Sequence, residues 1–169
     1  MTRHIPVFLT INGEPTTVLV EPRLSLADLL RQQLRLTGTH VGCEMGACGA
    51  CLVVQDGRVV HACLSLAIQA EGSDIQTIEG LSEGGVIADL QTEFYERNAL
   101  QCGFCTPGVL MTAHALLQAT PLPSRDEIRD ALSGNFCRCT GYQAIVDAIE
   151  ATARRRLTSQ PSRDAEKRA

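Results

Sequence analysis

The sequence predicts an α+β fold in two units: a sheet with a covering helix over residues 1–80 and an all-helical unit over 81–156, ahead of a polar tail at 157–169. Three observations carry this. The turn signals Asn12-Gly13 and Asp56-Gly57 each sit between β-branched runs, and both fall in the first half. Past residue 80 no strand pattern survives and the apolar spacing becomes helical. The eight cysteines divide the same way, with Cys43, Cys48, Cys51 and Cys63 in the first unit and Cys102, Cys105, Cys137 and Cys139 in the second.

The elements follow in order. "VFLTI" is a strand, Asn12-Gly13 turns it, and "TTVLV" returns. In "SLADLLRQQL", Ser25 is the N-cap, and Leu26, Leu29, Leu30 and Leu34 lie at helical spacing to cover the sheet. "CLVVQDGRVV" is a second hairpin, "DIQTI" a last strand, and the Gly- and Ser-bearing "EGLSEGG" the expected linker. Four helices come next. "VIADLQTEFYERN" aligns Ile87, Leu90 and Phe94, and Thr106-Pro107 opens "GVLMTAHALLQAT" with proline in the first turn. "SRDEIRDALSG" is a capping box of Ser124 and Glu127 with Gly134 as its stop. "YQAIVDAIEATARRR" aligns Ile145, Ala148 and Ile149 and ends in arginines, which suit the negative end of a helix dipole.

Composition bounds the function. A chain of 169 residues, 44% hydrophobic and 20% charged, is globular. Its net charge is −4, but residues 154–169 hold six basic and two acidic groups, leaving nine against seventeen in the body. So acidic a body argues against a nucleic-acid partner, and the basic end reads as a solvated terminus. The first residues lack the apolar core of a secretory signal and no run has the length of a membrane span, so the expected location is cytoplasmic. In a reducing compartment, clustered cysteines more often hold metal than form disulfides, and Cys137-Arg138-Cys139 is a poor intrachain pair.

Cys43-x4-Cys48-x2-Cys51, followed downstream by Cys63, matches the plant-type ferredoxin spacing for a 2Fe-2S cluster. The cluster is anionic, so a loop wrapping it must turn backbone N–H groups inward. Gly42, Gly46 and Gly49 give the freedom to do so, and Ala47 and Ala50 keep the wall thin. A four-thiolate zinc site is the alternative, although zinc favours paired C-x2-C knuckles. The second set, Cys102-x2-Cys105 and Cys137-x-Cys139, places each pair just before a helix, where the dipole is expected to lower thiol pKa values. Read alone it leaves zinc and cluster open; beside a ferredoxin-type motif, a second 2Fe-2S centre is the stronger reading. The histidines His4, His40, His61 and His114 join no nucleophile or carboxylate motif, so no catalytic residue is expected.

Together, "GCEMGACGAC" with Cys63, "QCGFCTPG" and "NFCRCTGY" resemble the small iron–sulfur subunit of the molybdenum hydroxylases, the xanthine dehydrogenase, aldehyde oxidoreductase and carbon monoxide dehydrogenase group. The likeness spans about residues 5–155 and includes all eight cysteines. It implies a β-grasp, ferredoxin-like first domain and a four-helix-bundle second domain, each with one 2Fe-2S cluster. It further implies a molybdopterin cofactor on a large subunit beside the second cluster, where Gln101 and Cys139 would meet the pterin. FAD on a medium subunit would face the first, in a dimer of heterotrimers. The rivals are a free-standing two-cluster ferredoxin-like carrier and a zinc-stabilised interaction module.

Overall fold

The computed structural model describes residues 4–159. Ile5–Ile11 (β1) and Glu14–Val20 (β2) form an antiparallel hairpin, and Leu52–Gln55 (β3) and Arg58–His61 (β4) form another. Both turns are two-residue loops with positive φ at each position, 52° and 86° at Asn12-Gly13 and 50° and 77° at Asp56-Gly57. That is the turn whose twist matches the strands it joins. Asp74–Gln76 (β5) threads between the hairpins, parallel to β1 and antiparallel to β3, giving the order β2-β1-β5-β3-β4. Asn12 locks this arrangement: its Oδ1 accepts from the Thr77 N–H at 2.8 Å and its Nδ2 donates to Thr77 Oγ1 at 3.1 Å.

One face of the sheet presents Val7, Leu9, Ile11, Val53 and Ile75 to the first core, together with the buried Leu26, Leu29 and Leu30. Ser25 caps Leu26–Asp28 (α1) as expected, accepting from Asp28 N at 3.0 Å, but Leu29–Gln33 then widens into a π-helical turn. The strand expected over "DIQTI" stops at Gln76, and the expected linker is structured: Ile78–Glu83 is a helix (α2). Its Ile78 and Leu81 bury into the helical core, and that burial holds the stretch helical despite its glycines.

The second unit comprises Ala88–Glu96 (α3), Thr106–Ala119 (α4), Arg125–Ala131 (α5) and Gln143–Ser159 (α6). Ile87, Leu90, Phe94, Ile145, Ala148 and Ile149 are all in its core, as their spacing predicts. The Ser124–Glu127 capping box is formed, and Gly134 closes a 3-10 turn after α5. α6 runs two residues past Leu157, so the start of the expected tail is helical, and residues 160–169 lie outside the described residues. The terminal arginines do more than face a dipole. Arg154 pairs with Glu150 within α6, while Arg155 with Glu93 and Arg156 with Asp89 tie α6 to α3. The two units share a wall, because Leu52, Val54 and Val59 pack on the helical core while Val53, one residue away, faces the other.

Candidate metal centres

The loop from Val41 to Cys51 has no regular structure, and the sequence explains its path. Gly46 and Gly49 take φ of 74° and 68°, as the expected inward turn requires, and Glu44 joins them at 55°. Gly42 does not; it serves by leaving room, since a Cβ there would lie 3.1 Å from Cys48 Sγ. Backbone N–H groups do turn toward sulfur, with Met45 N 3.5 Å from Cys43 Sγ.

All eight cysteines are free thiols, and they meet in twos. Cys43 faces Cys48 and Cys51 faces Cys63 in the first unit; Cys105 faces Cys137, and Cys102 lies 3.6 Å from Cys139, in the second. Among the described residues no three cysteine, histidine or acidic side chains converge as a single ion would require. A tetrahedral zinc ion draws four sulfurs to one point. A 2Fe-2S cluster needs two sulfurs at each end of a rhomb, and this donor set fits it.

The thiols differ in their surroundings. The backbone N–H of Met45, followed by that of Cys48, pulls Cys43 down to about 7. Burial pushes Cys51 and Cys105 up to about 12, with the facing thiol adding to it in each case. Burial also raises Cys48. For Cys137 burial acts upward, but the hydroxyl and N–H of Thr140 outweigh it and lower the thiol. The neighbouring Cys102 thiol raises Cys139. At Cys105, at the very start of α4, desolvation of the half-buried thiol works against the lowering expected of a helix end. A bound cation reverses that balance by taking the place of the protons.

Gln101 and Cys139, the two residues the resemblance assigns to the pterin, lie beside each other. Both are exposed, and Gln101 Nε2 donates to the Cys139 carbonyl at 3.1 Å. His40 and His61 are not drawn into either thiol set. The His40 ring stacks on Phe104 at 4.7 Å and 17°, and its Nδ1 lies 2.7 Å from the Phe104 carbonyl.

Sequence reasoning missed the residues that join the two loops. Phe136 N–H donates to the Cys48 carbonyl at 2.9 Å. Tyr142 Oη accepts from Cys137 N at 2.7 Å and donates to the Asn135 carbonyl at 3.0 Å. Asn135 is 2% exposed. Its place beside the C-x-C pair was the available signal, but nothing local announces that it reaches a loop 86 positions away.

Comparison with known proteins agrees with the two sets. A family described as a 2Fe-2S iron-sulfur cluster binding domain matches residues 9–80, and one described as a 2Fe-2S binding domain matches 77–150. The chain is 51% identical to caffeine dehydrogenase subunit gamma of a Pseudomonas strain, over 90% of this chain and 93% of that one. It is 50% identical to the nicotine 6-hydroxylase small subunit of Paenarthrobacter nicotinovorans, over 86% and 88%. Among solved structures, quinoline 2-oxidoreductase from Pseudomonas putida superposes with a TM-score of 0.87 at 49% identity, over 95% of this chain and all of the matched one.

Proposed function

This chain belongs to the 2Fe-2S iron–sulfur subunits of the molybdenum hydroxylases, and on that premise we propose that it relays single electrons from a molybdopterin centre on a large subunit to FAD on a medium one. It is an electron-transfer subunit of an oxidoreductase complex and is not itself the catalytic one. Cys43, Cys48, Cys51 and Cys63 hold one cluster; Cys102, Cys105, Cys137 and Cys139 hold the other. Bound there, a 2Fe-2S cluster takes up and gives up one electron at a time.

The chain's own part is to hold, orient and insulate. The N–H groups around Cys43 and the Thr140 hydroxyl at Cys137 donate to sulfur and stabilise its thiolate form. Buried Cys51 fixes the inner end of the first site. Gln101 orients the exposed Cys139 segment and, in this reading, meets a pterin on the large subunit. Each site carries an apolar rim suited to docking, with Leu100, Phe104 and Phe136 exposed around the second and Met45 and Leu64 around the first. The rim around the second site is assigned to the large subunit and that around the first site to the medium one, in a dimer of heterotrimers. Among the described residues no helix is long and apolar enough to cross a membrane, which fits the proposed cytoplasmic location.

The observation that carries the reading is the meeting of eight thiols in four facing pairs. Purified protein is expected to contain about four irons per chain with matching acid-labile sulfide, and to give two distinct EPR signals after dithionite. It should co-purify with a molybdenum-bearing and a flavin-bearing chain. A colourless product holding zinc would refute the assignment.

A further inference from the structure

We propose that Asn135, which is no ligand, is the positioning residue that sets the gap between the two cysteine loops and thereby the electronic coupling between their clusters. The inference rests on the two-cluster reading above. Asn135 is 2% exposed, yet its polar groups are used and point to different elements. Its N–H donates to the Leu132 carbonyl at 2.9 Å, and its carbonyl accepts from Tyr142 Oη at 3.0 Å, fixing the backbone beside Cys137. In the side chain, Thr112 Oγ1 on α4 donates to Oδ1 at 2.8 Å. That donor decides the orientation of the amide, because it leaves the NH2 end directed at the Gly49 carbonyl, 3.4 Å away.

The Gly49 carbonyl has little other freedom. A Cβ on Gly108 would lie 1.9 Å from its oxygen, and a Cβ on Gly49 would lie 2.3 Å from the Gly134 carbonyl oxygen. Main chain from the first loop is thus pressed between α4 and the approach to the second pair, with the Asn135 amide as its polar contact. One residue on either side of this clasp, the Cys48 carbonyl accepts from Phe136 N–H at 2.9 Å. Cys48 and Cys137 are therefore joined through backbone and one hydrogen bond. The amide of Asn135 holds that bond closed without taking part in it.

The side chain of a buried, merely satisfied asparagine would affect stability alone, so the test reads geometry. Asn135→Asp keeps the shape but turns an acceptor toward the Gly49 carbonyl; Asn135→Ala removes the contact; Thr112→Val removes the orienting donor. Thr152→Val, which loses a buried hydroxyl bond to Ala148 inside α6, is the stability control. In the full-length chain we expect the three seam variants to retain iron and both EPR signals. They should lose the magnetic splitting between the two reduced clusters, slow intercluster transfer after flash reduction, and speed amide exchange at Phe136. The control should leave all three readings unchanged. Splitting, rate and exchange equal to wild type in the seam variants would overturn the proposal. Should both Asn135 variants lose iron, Thr112→Val decides by the same readings. Wild type lacking two reduced signals would overturn the two-cluster reading itself, and the clasp with it; wild type with both signals and unaltered variants would overturn the clasp alone.

Discussion

Glycines that look alike in the sequence do different work at the level of the single residue. Gly57 needs its positive φ and has open space around it, whereas Gly108 has ordinary helical geometry and no space at all. Gly57→Ala should cost about 1–2 kcal/mol through backbone strain and leave both metal centres unaltered. Gly108→Ala gains roughly 1 kcal/mol of helix propensity but drives a methyl into a backbone carbonyl, and overpacking of that kind costs about 1–3 kcal/mol. We expect a comparable or larger loss in denaturant midpoint, accompanied by a shift in the EPR signal of the Cys43–Cys63 site. The thiol spacings were legible in the sequence because ligand loops are local. The pairing of Cys102 with Cys139 was not, because it depends on how two separate loops meet.

Among the elements, α3 and α6 are joined by charge as well as by packing. Arg156 grips Asp89 with two hydrogen bonds, Nε to Oδ2 at 2.6 Å and Nη2 to Oδ1 at 2.9 Å, and this holds the Asp89 carboxyl below its usual range. A carboxyl depressed on folding contributes stability above its unfolded value of about 3.9, and the contribution is lost as pH falls through the folded value. On the facing side of α4, His114 is depressed by burial first and by the Arg156 charge second, with Asp89 opposing. Its Nδ1 has no partner among the described residues. A histidine held neutral by folding costs stability as pH falls below about 6.5, where the unfolded chain takes up the proton. Urea titrations should therefore show two acid losses: an upper one that His114→Leu removes and a lower one that Asp89→Asn removes. The helices and the Ser124 cap were readable from periodicity and capping chemistry. The π-turn after α1 and the helix over "EGLSEGG" were not, since tertiary burial decides both.

The molecule as a whole is divided in sequence more sharply than in space. β3 turns Val53 to one core and Leu52 and Val54 to the other, so a four-residue strand belongs to both units. Leu52→Ala should cost about 2–5 kcal/mol and leave a single unfolding transition, with sheet and helix signals lost together. A fragment ending at residue 80 would cut α2 after its third residue and bare the outer face of β3 and β4. We expect it to associate or to show poor amide dispersion, which NMR would read. The hairpins could be foreseen from Asn-Gly and Asp-Gly, but not the insertion of β5 between them or the shared wall, because no short-range signal encodes which strand a distant segment joins. The seam of Gly49, Gly108 and Gly134 follows from that shared wall. Main chain has no rotamers, so a joint built from it and held by one buried amide has little play. Exposed residues away from the two apolar rims can therefore change without disturbing the join between the two cysteine loops.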